Sequence, residues 1–434
     1  LEPGDPLFYL GTALLALTWV VGALLGGPLY LGRAHTRAGT AYARGVVQSL
    51  VLGYTVRPDT TWIPDWLPTT GVQQAVPVLV VLGVLAWRGD PLPTRATVGE
   101  ARLPASPTPR RVGLWTAVLA AASVVWLFTG DASARQALIV TLIAVVLSLS
   151  VVVLTGYVGQ ISLAQLAFAG VAGFAAIAVA DRGWPFPLAV GFGVALATVV
   201  GVLVGLPATR VRGMSLAVAT MAAAVAIEAL VIGSPSLSGG IGGRSAPRPY
   251  LFGIDVGISA RGADNFRPAF GLVALGCAVV SGLVVANLRR NRTGLRWLAV
   301  RANERAAAAA GIDVGRTKLG AFALSSALAG LAGCLTAYAT STLSTSSFML
   351  IGALVAVALT YLGGIGGISG AVIGGLLAQA GVVTSLSSGS SEYAFVLSGV
   401  ALVVVAITAP EGIAGLGRAR LAALGARRTG EAAG

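Results

Sequence analysis

Side chains able to hold a metal or to pair as nucleophile and base are nearly absent from this chain. Its 434 residues include one histidine, His35, and two cysteines, Cys277 and Cys334. His35 lies in an Arg-rich stretch and reads as a solvated loop residue. Both cysteines fall inside apolar runs, where small core residues are expected rather than a disulfide framework or a metal site. A catalytic triad cannot be assembled, and no Walker sequence is present. The chain is not expected to be an enzyme or to hold a cofactor; any ATP hydrolysis would belong to other subunits.

What polar chemistry there is gathers in four places. The first is 155–170, TGYVGQISLAQLAFAG. Gly156 and Gly159 permit a tight re-entry or close helix contact. Gln160, Ser162 and Gln165 must face protein or water, because lipid would leave them unpaired. They read either as polar glue between helices or as the lining of a translocation path. The second is 210–220, RVRGMSLAVAT, which brings Thr220 into the same group of path candidates. Glu228 follows near the end of that apolar run; it reads as a path residue or, preferably, as an acid snorkelling to the interface. The third is the polar stretch 289–318. The fourth is 363–370, GGIGGISG, whose Gly363, Gly364, Gly366 and Gly367 let the chain break a helix. Phosphate cradling would need the strand context of a P-loop, which is missing.

The elements that carry these groups follow from composition. Hydrophobic residues make up 56% and charged residues 10%, with a mean hydropathy of +0.85. A soluble chain carries roughly 25% charged residues. Apolar runs long enough to cross a hydrocarbon core about 30 Å thick recur along the whole length, and they are far longer than barrel strands, so helices are required. The expected fold is all-α, a polytopic transmembrane bundle with thirteen crossings: 8–27, 38–55, 74–87, 113–129, 136–154, 160–180, 187–207, 214–233, 269–288, 319–340, 348–363, 369–386 and 394–409.

Charge sorts along those crossings. With 289–318 placed inside and the crossings alternating outward from it, inside segments collect 22 of the 29 basic residues and outside segments collect seven. Cytoplasmic loops carry this excess of Arg and Lys. The net charge of +13 is therefore an orientation signal in a bilayer, not a nucleic-acid footprint. The loop at 234–268 is expected outside and the C-terminus inside.

Residues 89–112, with five prolines among mixed charges, read as a cytoplasmic linker. A repeat flanks it. Ala16-Leu17-Thr18-Trp19 resembles Ala358-Leu359-Thr360-Tyr361, and Val46-Val47-Gln48-Ser49-Leu50 resembles Val382-Val383-Thr384-Ser385-Leu386, in the same order. Residues 1–88 are thus expected to be the last three crossings of one permease unit. Residues 113–410 form a complete second unit, and 411–434 a cytoplasmic tail. Parallel repeats of this kind are a transporter architecture. With Leu rather than Met at position 1, further sequence is expected upstream.

Within the third polar stretch, 298–311 (LAVRANERAAAAAG) has the composition of one short helix ended by Gly311. Too polar for lipid, it suits either an ordinary positive-inside loop or a helix presented to a soluble motor. Here a resemblance enters. Residues 301–330, RANERAAAAAGIDVGRTKLGAFALSSALAG, resemble the coupling segment of branched-chain amino-acid permeases of the ATP-binding-cassette importers. The 155–170 stretch resembles that family's second-type subunit, and 210–220 and 363–370 match further motifs in family order. Residues 1–88 resemble the tail of the first-type subunit. The resemblance implies that Glu304, Arg305, Ala306, Ala307 and Gly311 dock into a cleft on an ATPase. It implies two ATPase subunits and an extracytoplasmic solute-binding protein as partners, a small-molecule substrate, and a place in the cytoplasmic (inner) membrane. Leucine, isoleucine or valine is the implied cargo, with urea, short amides or another small solute as the alternative. An ion-coupled secondary transporter is disfavoured, since the crossings bury almost no ionisable groups. A non-transporting scaffold would have no use for a docking helix.

Overall fold

The computed structural model describes residues 112–209, 214–251, 253–258, 267–378, 380–386 and 412–417. The crossings expected at 8–27, 38–55, 74–87 and 394–409, the first unit 1–88, the 89–112 linker up to its last residue and most of the tail lie outside the described residues.

Helices dominate what is described. They are α1 (Val112–Thr129), α2 (Ala132–Val151), α3 (Gln165–Ala180), α4 (Phe186–Ala208), α5 (Met214–Ile227), α6 (Pro268–Arg290), α7 (Arg292–Ala302), α8 (Glu304–Ala309), α9 (Val314–Thr340), α10 (Leu350–Gly363), α11 (Ile368–Leu376) and α12 (Val382–Leu386), with short turns between. Among the described residues, five segments are long and apolar enough to cross a membrane: Val112–Thr129, Ala132–Tyr157, Phe186–Pro207, Pro268–Arg290 and Val314–Thr340. Three shorter apolar helices, Gln165–Ala180, Leu216–Ile232 and Leu350–Gly363, fall where further crossings were expected.

Two expected crossings differ in detail. The 160–180 run begins its helix only at Gln165, after a non-helical stretch. The 369–386 run is two helices, α11 and α12, with Ala380 between them at φ 59°. Its glycine-rich sequence leaves little propensity to carry one helix through.

At the centre lies α9, packed against α4, α3 and α2. Small residues set these distances: a Cβ on Gly333 of α9 would run into the backbone carbonyl of Ala169 in α3. Such close approach is how helices associate when lipid offers no hydrophobic drive between them. Polar glue supplements it, with Ser325 Oγ donating to the Ser150 carbonyl at 2.9 Å and Thr360 Oγ1 sharing a 3.1 Å bond with Ser148 Oγ. The opposite extreme is α1, whose Leu114, Trp115, Val118 and Phe128 are all exposed. In a bilayer such a surface faces lipid without penalty.

The connections gather at two ends. At one, Arg244 and Ser245 pair antiparallel with Leu343 and Thr342, a second two-residue ladder joins Tyr250–Leu251 to Ile254–Asp255, and Arg244 bridges Asp181 at 2.7 Å. These ladders are the described exception to an all-α fold. At the other end, α7 lies beside the turn that follows α2, α8 packs on α7 and α9, and Gly412 comes against Gly364. The two groups are those that alternation from the 289–318 loop places on opposite sides.

Candidate functional site

The polar stretch after α6 folds as two helices, not the single one expected over 298–311. Asn303 divides them, extended at φ −161° and ψ 110°, and its side-chain oxygen accepts from the backbone N–H groups of Arg305 and Ala306 at 3.0 and 3.1 Å. Asparagine is a preferred N-cap because it satisfies helix-start donors that have no partner; that competing preference outweighs the alanine-rich composition. The stop is as expected. Gly311, at φ 81°, donates to the Ala308 carbonyl at 3.0 Å, and Ile312 N–H donates to Ala307 at 3.0 Å. This pair of bonds closes the helix through a left-handed residue, and glycine takes that conformation without cost.

The faces of α8 separate the five residues singled out there. Arg305, Ala306 and Gly311 are exposed, as are Ala308 to Ala310 between them, whereas Ala307 is buried against the bundle. Glu304 also turns inward, and its Oε1 lies 2.8 Å from Nζ of Lys318. Lys318 is 0% exposed, so this pair fastens α8 to the first turns of α9. A buried ammonium is tolerable only with such a partner.

The other group of candidates surrounds a break in the membrane-spanning part. The end of α2 widens into a π-helical turn, Val152–Tyr157, and the chain then runs without helix to Gln165. At 16 residues, α3 spans about 24 Å, short of the roughly 30 Å core. The non-helical stretch therefore sits at membrane depth, where backbone is tolerated only inside protein or against a water-filled path. Protein groups take up its polar atoms. Thr220 Oγ1 accepts from Leu163 N–H at 3.2 Å, Thr155 Oγ1 donates to the Gln160 carbonyl at 3.2 Å, and Ser162 Oγ accepts from Ala164 N–H at 3.4 Å. Gly159 makes the turn at φ 76°. Two buried side chains are left over: Oε1 of Gln160 and both carboxamide atoms of Gln165 have no hydrogen-bond partner among the described residues. Buried polar atoms are otherwise almost always paired, which sets these two carboxamides apart.

One side chain joins the two regions. Arg301, on the last turn of α7, donates from Nη1 to the carbonyl of Gly156 in the π turn. Half-burial pushes its pKa below the ordinary guanidinium value, against the opposing influence of nearby Tyr361. Gly156 also packs on the carbonyl of Ile365, so a Cβ there has no room.

The family model described as branched-chain amino acid transport system / permease component matches residues 133–406. The chain belongs to this family. It is similar to the high-affinity branched-chain amino acid transport system permease protein LivM of Escherichia coli, at 29% identity over 71% of this chain and 76% of that one. The protein of the same name from Salmonella typhimurium is 28% identical over 74% and 79%. No solved structure matches the chain.

As a member of this permease family the chain is a multi-pass membrane protein whose relatives are transport subunits rather than enzymes. The remaining candidates have structural positions in the permease. Glu228 begins a π turn closing α5, and its Oε2 accepts from Leu350 N–H at 3.3 Å, satisfying the start of α10; it lies apart from the break. Of the four turn glycines, Gly364 takes a positive φ, 115°, and Gly363 packs on Gly370 and Gly374; Gly366 and Gly367 complete the turn before α11. Reading the sequence missed Asn303, Arg301 and Lys318. Asn303 carried a readable signal, an N-cap residue before an alanine run. Arg301 and Lys318 act through partners remote in sequence or buried, which composition does not reveal.

Proposed function

We propose that this permease carries branched-chain amino acids across the cytoplasmic membrane, with its non-helical stretch at 159–164 forming part of the path and α8 receiving force from separate ATPase subunits. Thirteen crossings, the inside placement of α7, α8 and the C-terminus, two ATPase partners and an extracytoplasmic solute-binding protein belong to this reading. The names of the relatives support the cargo. The observation that carries the mechanism is the Arg301–Gly156 hydrogen bond, which ties the helix pair outside the bilayer to the turn preceding Gln160.

Each group then has a part. The exposed face of α8, Arg305, Ala306 and Ala308 to Gly311, is small enough for close approach by another surface. Glu304 and Lys318 hold α8 to α9, so that a push on α8 reaches the central helix instead of bending a loop. Arg301 carries displacement of α7 to the π turn, whose wide hydrogen bonding is a common feature of functional sites. Gln160, Ser162, Gln165 and Thr220 present hydroxyl and carboxamide groups to a zwitterion, and the apolar walls accept its side chain.

Gly311→Asp tests the docking. Nothing lies within 4 Å of a Cβ at Gly311, and aspartate is among the residues that visit the left-handed region, so the strain stays at the end of α8 and the helical bundle is kept. A buried unpaired charge at the docked surface costs several kcal/mol. The expected result is loss of co-purifying ATPase subunits and of labelled leucine uptake at unchanged permease level. Unchanged co-purification and uptake would remove the docking role. Uptake of urea or acetamide in place of leucine would move the cargo to the other class.

A further inference from the structure

A cleft of about 480 Å³ opens where α7 meets the start of α9, within the roughly 300–1,000 Å³ typical of small-molecule sites. Arg296, Thr293, Asp313 and Arg316 supply its polar lining and Leu288, Ile312, Trp297 and Leu324 its apolar lining, with Gly311 and Gly320 beside them. Arg316 and Leu324 are eight residues apart on one helix, about 12 Å along its axis. The cleft thus runs from the polar helix pair into the span Val314–Thr340. A wholly polar ligand would leave the apolar half unmatched, and a hydrocarbon would leave the arginines unmatched.

The charges favour an anion. Arg316 is paired with Asp313 at 3.2 Å, but its side chain remains 90% exposed. Arg296 is exposed and pairs with no carboxylate among the described residues. Trp297 is held in place by its Nε1–H bond to the Thr317 carbonyl at 3.2 Å, which leaves its ring as a fixed wall. We infer that this cleft is a binding site for an anionic phospholipid, its phosphodiester between Arg296 and Arg316 and the start of an acyl chain along Leu288 and Leu324. Basic pockets beside membrane-spanning helices bind anionic headgroups on these terms. The inference rests on the membrane placement that family membership gives, and does not depend on α8 docking an ATPase.

Gly320 supplies a clean probe, since a Cβ there meets nothing within 4 Å. Gly320→Leu fills the cleft without touching a charge and favours the helix. The experiment is native mass spectrometry of the full chain in mild detergent with equimolar phosphatidylglycerol and phosphatidylcholine. Each arginine near an anionic lipid is worth about fivefold in binding; with Asp313 offsetting part of this, the wild type should retain phosphatidylglycerol about 10-fold over phosphatidylcholine. R296Q–R316Q should abolish the preference, G320L should lower retention of both lipids, and R182Q at the other end of the bundle should change neither. Equal retention by the wild type overturns the proposal, as does a preference that survives R296Q–R316Q or falls equally with R182Q. Lipid retention untouched by G320L, or glycerol phosphate competing at the same concentration as the lipid, would overturn the acyl-chain half. Because these measurements need no ATPase, their failure is distinct from failure of the docking assay.

Discussion

The pair Glu304–Lys318 makes an asymmetric demand. Lys318 is 0% exposed, whereas the Glu304 side chain keeps 21% of its surface in water. Glu304→Gln removes a carboxylate 2.8 Å from a buried ammonium. Breaking a buried pair from one side costs about 3–5 kcal/mol; the partial exposure of Glu304 puts this case at the lower end, about 3 kcal/mol. Lys318→Met instead leaves a carboxylate that can rotate to solvent, and about 1 kcal/mol is expected. The cost falls on the attachment of α8, which is short and held by few groups, rather than on the whole bundle. A loss of 3 kcal/mol is somewhat over 100-fold in the open population of α8. Hydrogen exchange of the amides at 306–312 reads it: protection should fall about 100-fold in E304Q, about fivefold in K318M, and recover most of the way in the double variant E304Q–K318M. Equal effects of the two single changes, or a double variant no better than E304Q, would refute this account of how α8 is held.

Three further outcomes are expected. Gly156→Ala drives a methyl group into the Ile365 carbonyl; backbone cannot yield cheaply, so overpacking costs about 1–3 kcal/mol, seen as a lower melting temperature in detergent. Gln165→Met removes a carboxamide with both atoms unpaired, so melting temperature should hold or rise while leucine uptake drops about 10-fold; unchanged uptake would take Gln165 out of the path. Asn303→Ala deletes the cap of α8 and should cost about 1 kcal/mol, lowering protection at Arg305 and Ala306 and sparing α9.

How far the sequence could be read depended on the range of the interaction concerned. The positions of the apolar helices from α1 to α10 follow from hydropathy alone, because a span is a property of consecutive residues. So does the stop at Gly311, where one residue supplies the required backbone angle. The break before Gln165 was marked by Gly156 and Gly159, and the grouping of Gln160, Ser162 and Thr220 around it agrees with the polar pattern. The hydroxyl of Thr220 meets Leu163 across 57 residues, however, and Arg301 meets Gly156 across 145. No local pattern encodes those meetings. Lys318 looked like another positive-inside charge; only packing shows it enclosed. Glu228 read as an acid snorkelling to the interface or lining a path; the first amide of α10, which it accepts from, lies 122 residues on and left no local sign.

The π turn at Val152–Tyr157 has a bearing on which sequence changes this chain can absorb. Such a turn is geometrically an α-helix with one residue too many. Deleting one residue inside it would relax the helix to regular winding and look harmless by hydropathy. Residues beyond the turn would keep their facing, because the bulge is what absorbs the extra residue, but those inside it would each move on by one position. Gly156 would leave the Ile365 carbonyl, and the carbonyl held by Arg301 would point elsewhere. Gly156 apart, substitutions along this stretch that keep its length leave the bulge in place, whereas a single missing codon would uncouple helix pair and polar break together.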